Sequence, residues 1–331
     1  MKRTDVTARL LPKLVKASAS AEQFAPSNIA LCKYWGKRDA ELNLPINASL
    51  SVSLDYLGTH TRLIPIEGQV DEVWLNGQQL QPGARFSRKV SAFIDLFRRD
   101  QTLCFKVETR NNIPTAAGLA SSASGFAALT LALNDALALD LPPEALSILA
   151  RMGSGSACRS LFEGFVEWRM GQREDGLDSH GIPLDASWPG FCIGLVEVDA
   201  AEKAVDSRSG MQRTVETAHL YQSWPLQAAA DMSKLQQAIQ ERDFSLLGQT
   251  AEQNALSMHA TMIASWPPLL YWQPDSVAAM QKVWQLRAQG LELYFTMDAG
   301  PNLKLLFQRQ DRDVVLQHFP NLETVEPFGS E

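Results

Sequence analysis

The chain reads as an α+β protein, and three observations carry that reading. Between residues 25 and 80, extended stretches follow one another with turn signals between them. Residues 125–139 are a long Ala/Leu stretch of helical character. After residue 190 an apolar strand gives way to helices and then to two further strands. Strands and helices are grouped rather than strictly alternating, as in α+β rather than doubly wound folds.

The totals set the frame. With 331 residues, 45% hydrophobic and 20% charged, the chain can bury a large core in one large or two medium domains. A net charge of -7 argues against nucleic acid and against a polybasic membrane surface. An acidic protein that handles an anion must gather its cations locally. No apolar run reaches the length of about 20 residues that a membrane span needs. Residues 1–20 carry basic groups without an apolar core or a cleavage site, and read as a short amphipathic or frayed extension. Cys32, Cys104, Cys158 and Cys192 are scattered, which predicts reduced, buried thiols in a cytoplasmic protein. His60, His180, His219, His259 and His318 are equally isolated, so no metal held by a side-chain cluster is expected.

In chain order, residues 25–31 end an extended segment that runs into Lys33-Tyr34-Trp35-Gly36-Lys37-Arg38. This compact basic turn is either a solvated loop or, because two aromatic rings are costly to leave in water, a packed one. Residues 44–54 alternate apolar and small polar residues as a half-buried strand does, and residues 59–65 form a second strand. Residues 73–80 are a hairpin with Asn76-Gly77 at the turn. Val90, Phe93, Ile94 and Phe97 have helix spacing, so the first hundred residues suggest an antiparallel sheet with a crossing helix.

A strand over 102–109 leads into Asn111-Asn112-Ile113-Pro114-Thr115-Ala116-Ala117-Gly118-Leu119-Ala120-Ser121-Ser122. Strand, small-residue loop and helix start expose backbone N–H groups to an anion. No Gly-Lys-Ser/Thr follows, so this is not a Walker loop. An ordinary helix start packed through small residues fits the segment equally well. A short helix over 144–152 precedes Gly153-Ser154-Gly155-Ser156-Ala157-Cys158-Arg159. There Ser156 can cap the next helix and Arg159 shares its face, either as an anion site or as a plain cap with a surface arginine. A strand over 164–168 follows, and the polar residues 171–189 hold the expected domain boundary.

Beyond it come a strand over 190–198, a polar loop over 203–211, helices over 223–242, 244–258 and 276–289, and strands over 291–296 and 303–307. Asp298 ends an apolar strand before Gly300-Pro301. Turn formers and catalytic acids both occupy such positions.

Taken together these segments resemble the mevalonate diphosphate decarboxylase family of the GHMP kinase superfamily, whose other members include galactokinase, homoserine kinase and mevalonate kinase. The resemblance lies in Ala25-Pro26-Ser27-Asn28-Ile29-Ala30 with Lys33-Tyr34-Trp35-Gly36-Lys37, in the loop from Pro114 to Ala123, in Gly153 to Arg159, in Ser207-Arg208-Ser209-Gly210-Met211, and in Asp298-Ala299-Gly300-Pro301-Asn302. Ala120, where the kinases usually have glycine, and the Lys-Tyr-Trp-Gly-Lys run favour the decarboxylase branch.

The resemblance implies a two-domain fold: an extension over 1–20, an N-terminal α/β sandwich with a left-handed crossover over 21–187, and a ferredoxin-like domain over 188–331, with the active site between. It implies ATP and Mg2+, mevalonate 5-diphosphate as substrate, and isopentenyl diphosphate, ADP, phosphate and CO2 as products, in a cytoplasmic and commonly homodimeric enzyme. Asp298 is then the base or orienting group at the 3-hydroxyl, with Lys33 keeping it ionised and Arg159 holding the substrate carboxylate. Tyr34, Lys37, Ser154, Ser156, Ser207 and Arg208 line the diphosphate side together with Trp35, Gly36, Gly155, Ala157 and Cys158, and Asn28 lies nearby. Pro114, Ala117, Gly118, Leu119, Ala120, Ser121 and Ser122 cradle the ATP phosphates, with Ser121 or Ser122 near the magnesium, and Lys203 reaches ATP. The same fold also serves kinases that phosphorylate the 3-hydroxyl of mevalonate or its monophosphate.

Overall fold

The strand Ser49–Ile66 is the axis of a seven-stranded sheet in the computed structural model, which describes residues 1–113, 121–199 and 205–329. On one side it pairs along its length with Ala21–Cys32. On the other, residues 59–66 pair with Cys104–Asn111, and residues 49–52 with Phe165–Trp168. The register against Ala21–Cys32 shifts between Pro26 and Asn28, close to Asp55, whose φ of +49° interrupts the extended backbone. The expected strands over 44–54 and 59–65 are therefore one strand with an irregular middle, and Leu44–Pro45 pairs separately with Lys37–Asp39.

The hairpin at Asn76-Gly77 is present, with φ of +50° and +82°, the left-handed pair a two-residue turn requires. Its first strand, Glu72–Leu75, runs parallel to Cys104–Asn111, so the sheet is mixed rather than antiparallel. The intervening helix Arg85–Arg98 supplies the crossover that a parallel pair needs.

The helix Ser121–Ala136 lies against Ala21–Cys32 and Ser49–Ile66. Its small residues make this possible: Ala127, Ala128 and Ala132 are wholly buried. Residues 1–20 are not frayed. The helix Arg3–Leu10 buries Val6, and Leu11 and Val15 follow it into one apolar cluster with Val90, Phe93 and Leu133.

A second, antiparallel sheet has the order Tyr294–Met297, Leu303–Gln308, Phe191–Val196, Glu323–Val325. The helices Trp224–Glu241 and Phe244–Ile263 pack on each other, and the second of them also packs on Tyr294–Met297. The polar loop expected over 203–211 is in its described part a helix, Ser207–Thr217, because Asp206 accepts from the backbone of Arg208 and Ser209 and caps it. One apolar cluster joins the two sheets, with Leu31, Leu50 and Val52 beside Phe191, Leu235 and Met258. The polar stretch 171–189 is pinned by buried Arg151, which donates to the carbonyls of Leu42, Gly176 and Ser179.

Candidate functional site

The two sheets meet where their strand ends converge. The hydroxyl of Thr296 donates to the carbonyl of Ala30 at 3.3 Å, which draws the end of Tyr294–Met297 beside the end of Ala21–Cys32. The residues that follow the two strands, Lys33 and Asp298, carry opposite charges. Lys33 Nζ lies 2.9 Å from Asp298 Oδ1, and Lys304 Nζ lies 3.4 Å from Oδ2. Both ammonium groups are sunk, with side chains 2% exposed, whereas the carboxylate is 31% exposed and faces outward. Burial pulls Lys33 down to about 8, against the attraction of Asp298 and with the help of Lys304 and Arg159.

Arg159 sits deeper. Its guanidinium donates to Ser51 Oγ at 2.9 Å, to Ser49 Oγ, and to Asn28 Oδ1 at 3.3 Å, and it lies over the Trp168 ring at 5.8 Å. Asn28 is oriented in turn by donating to Ser160 Oγ at 2.7 Å. No carboxylate lies within ion-pair distance of Arg159 among the described residues, although the residue is only 2% exposed. A buried cation held by neutral acceptors is a preorganised receptor for an anion. The segment before it is a four-residue 3-10 turn, Gly155–Cys158, led by Ser154. Ser156 therefore caps no helix. Its carbonyl accepts from Asn28 Nδ2 at 3.4 Å, and the hydroxyl of Ser154 is 3.4 Å from that of Ser122.

The basic turn at 33–38 is packed, not solvated. Trp35 is 2% exposed, and Tyr34 lies against Trp168 with ring centroids 4.7 Å apart. The buried Tyr34 hydroxyl and Trp35 Nε1 find no hydrogen-bond partner among the described residues. Gly36 has φ of +113°, and Tyr221, donating to the carbonyl of Trp35 at 2.8 Å, occupies the space of a side chain. A Cβ at Gly36 would fall 1.7 Å from the Tyr221 hydroxyl. Gly36→Ala is expected to lose about 3 kcal/mol, combining backbone strain with overpacking, readable as a lower denaturation midpoint. An unchanged midpoint would show that the turn can relax.

Lys37 donates to Asn43 Oδ1 at 2.7 Å. Burial, with Arg208 and Arg3 nearby, lowers it to about 8. Ser207 and Arg208 are exposed in the first turn of Ser207–Thr217, so Arg208 reaches the rim rather than the floor of the site. Burial, then Arg85 and Arg208, depress Lys89. Despite its net negative charge, the chain thus gathers Arg3, Lys37, Arg85, Lys89 and Arg208 along one rim.

Ser121 and Ser122 open the helix Ser121–Ala136 with exposed hydroxyls and no acid in the first turn, an arrangement suited to a phosphate. Pro114, Ala117, Gly118, Leu119 and Ala120 lie outside the described residues, as does Lys203. Among the described residues no three of His, Cys, Asp or Glu converge on a common point. Each of the four cysteines is free and buried.

Comparison with known proteins decides the family. The family described as Diphosphomevalonate decarboxylase-like N-terminal domain matches residues 25–181, and that described as Mevalonate 5-diphosphate decarboxylase C-terminal domain matches residues 193–327. The chain belongs to the diphosphomevalonate decarboxylase family. Diphosphomevalonate decarboxylase mvd1 of Aspergillus fumigatus is 41% identical over 312 residues, 88% of this chain and 77% of that protein. The crystal structure of mevalonate diphosphate decarboxylase from Staphylococcus aureus superposes with a TM-score of 0.89 at 36% identity, covering 94% of this chain and 96% of that one. A structure described as MDDEF in complex with MVAPP, AMPPCP and magnesium superposes with a TM-score of 0.85 at 40% identity, covering 94% and 98%. The mixed α+β architecture is that of these decarboxylases.

Some residues of this cluster do not stand out in the sequence. Lys304 reads only as a charge inside an apolar strand, which is a signal in retrospect because a strand interior rarely tolerates one. Ser49 and Ser51 are among the small polar residues that alternate with apolar ones in the half-buried strand expected over 44–54. Both are wholly buried, and that side of the strand faces Arg159. Asn254 and His259 look like ordinary polar residues on a helix, yet Asn254 Oδ1 accepts from the Lys33 N–H and His259 bonds the Asp298 carbonyl.

Proposed function

We infer that this chain catalyses the ATP-dependent decarboxylation of mevalonate 5-diphosphate to isopentenyl diphosphate, with ADP, phosphate and CO2. The observation that carries the residue roles is the Lys33–Asp298–Lys304 cluster together with a buried Arg159 that has no carboxylate within ion-pair distance among the described residues.

The chemistry follows from the substrate. Hydroxide is a poor leaving group, so the tertiary 3-hydroxyl must first be phosphorylated. Asp298, half open to the site, accepts the hydroxyl proton or aligns it while the oxygen attacks the terminal phosphorus of ATP and ADP leaves. Lys33 and Lys304 stabilise the charge on the phosphoryl oxygens. The C–O bond then breaks, with phosphate taking the electron pair, and the tertiary carbon carries the developing positive charge. Electrons of the bond to the carboxylate carbon form the alkene, and CO2 departs. Arg159 is the receptor for that carboxylate, a forked donor matched to two oxygens. Tyr34, Lys37, Ser154, Ser156, Ser207 and Arg208 bind the diphosphate, the Tyr34 hydroxyl, without a partner among the described residues, being one donor for it. The helix start at Ser121 and Ser122 receives the ATP phosphates. Magnesium, when bound with ATP, neutralises charge on the transferred phosphoryl group.

The same reading divides the chain at residues 187 and 188, places the enzyme in the cytoplasm and makes it a homodimer. Among the described residues no helix is long and apolar enough to cross a membrane.

The test is to give purified protein ATP, magnesium and mevalonate, its monophosphate or its diphosphate in turn, following ADP and CO2. ADP and CO2 should appear together with the diphosphate. ADP without CO2 would overturn the assignment and make the enzyme a 3-kinase, and turnover restricted to another derivative would overturn the substrate.

The lysine shifts give a pH prediction. Loss of the Lys33 and Lys37 protons removes a site cation each, so kcat/KM should fall as pH rises through about 8. The sign for stability is opposite. A folded pKa near 8 below an ordinary value of 10.5 means the unfolded chain binds more protons in that window, so these groups add stability as pH rises through it. The alkaline loss should therefore be reversible and occur with an intact fold by circular dichroism. A loss that coincides with unfolding would refute the assignment of that limb.

A further inference from the structure

The Lys33–Asp298 pair joins two strand ends that belong to different sheets. One helix, Phe244–Ile263, bonds the backbone of both partners. Asn254 Oδ1 accepts from the Lys33 N–H at 2.8 Å, and further along the helix the buried His259 Nε2 bonds the Asp298 carbonyl at 3.0 Å. A carbonyl only accepts, so that nitrogen carries the proton. Burial lowers His259 to about 4, and it stays neutral over the working range.

The Asn254 amide is itself oriented. Its Nδ2 donates to Asp231 Oδ2 at 2.8 Å, and Asp231 Oδ1 receives Gln227 Nε2 at 2.7 Å. Asp231 and Asn254 are both 0% exposed. A carboxylate accepts only, so the NH2 of Asn254 must face Asp231 and its oxygen must face Lys33. From the other side Asn47 Nδ2 donates to the Lys33 carbonyl at 2.9 Å.

We propose that Asn254 and His259 are positioning residues that set the separation of the Lys33 ammonium and the Asp298 carboxylate, with Asp231 locking the Asn254 amide in the orientation this needs. The proposal rests on the reading above, in which that pair works on the substrate hydroxyl. Buried polar groups are usually bonded to something. Here both bonds end on the backbone of the two residues whose spacing the reaction requires.

Among the described residues Lys33, Lys304 and His259 face Asp298, with Arg159 close enough to interact by charge. Retreat of Lys33 would withdraw a cation that favours the charged form of the Asp298 carboxylate. The experiment uses the full chain with ATP, magnesium and mevalonate 5-diphosphate. It compares kcat, KM and the acid limb of kcat/KM in Asp231→Asn, Asn254→Asp and the double variant, all isosteric.

In Asp231→Asn the new amide must turn its NH2 toward either Asn254 or Gln227, each of which already offers one there, and in Asn254→Asp two carboxylates confront each other. The double variant restores one donor and one acceptor at unchanged net charge. Each single variant is expected to lose about 10- to 100-fold in kcat, the scale of a small misplacement, with the KM for ATP unchanged and the acid limb moved up. The double variant should regain most of kcat and the original limb.

Wild-type kcat and pH profile in both single variants would overturn the proposal. So would a double variant that regains its denaturation midpoint but not its kcat. Should a single variant not fold, His259→Gln and His259→Leu decide. Glutamine offers an NH2 near the place of Nε2 and should retain about tenfold more kcat than leucine, the worth of one hydrogen bond; equal values would overturn the proposal. A wild-type protein that releases no CO2 would instead remove the functional reading itself.

Discussion

Asp298→Asn is expected to lower kcat by about two to four decades, the usual reach of a lost acid/base or positioning group. The substitution is isosteric, and the backbone carbonyl that His259 holds is untouched. What changes is charge. Lys33 and Lys304, each 2% exposed at its side chain, lose the carboxylate they share and are left as buried like charges. Asp298 is also what holds the Lys33 pKa up against burial and Lys304, so its removal should push that pKa below about 8. The alkaline limb of the residual activity should then start at lower pH than in the wild type. ATP binding, measured by calorimetry, should survive, because the helix start at Ser121 is a separate element. Near-normal turnover would remove Asp298 from the mechanism. An unmoved alkaline limb would detach Lys33 from it.

The parts of this site that could be read in the sequence are those where local chemistry is unusual for its place. Asp298 stands out because it ends an apolar strand before a Gly-Pro turn, and the basic turn because two aromatic rings accompany its cations. The hairpin at Asn76-Gly77 is legible for the same local reason. What stays hidden depends on pairing across the chain. Whether Ser49 and Ser51 face water or a guanidinium turns on what covers that side of the sheet, and the cover is Arg159, more than a hundred residues away. The irregular middle of Ser49–Ile66 hides likewise, because its two halves are held by different neighbours, Phe165–Trp168 and Cys104–Asn111. Lys304 and His259 become meaningful only once the second sheet carries Asp298 to Lys33. The helix at Ser207 was missed although Asp206 is an ordinary cap, because its first turn carries few apolar residues to mark a period.

Arg159→Lys keeps the charge and should nevertheless lose about two to three decades in kcat/KM, as when a fixed donor to a developing charge is removed. The guanidinium is held at three points by Ser49, Ser51 and Asn28, with its Cζ 5.8 Å from the centre of the Trp168 ring. That hold fixes where its free edge points. An ammonium is a point charge on a flexible stem, and it can reach one of these acceptors but not keep the fork. The substrate carboxylate would then lose one of its two contacts, and the far end of the substrate would shift with it. A displacement of 1 Å at the 3-hydroxyl costs about a hundredfold by itself. The loss should therefore appear in kcat as well as in KM, because the contact orients the reacting group besides binding it. The Ser49 and Ser51 hydroxyls give an independent arm. Ser51→Ala leaves the charge in place and removes one of the points that aim it, so it should produce a smaller loss of the same kind, divided between kcat and KM. Wild-type-like kinetics in Arg159→Lys would mean that Arg159 does not hold the carboxylate, and a loss confined to KM would mean that it binds the substrate without orienting it.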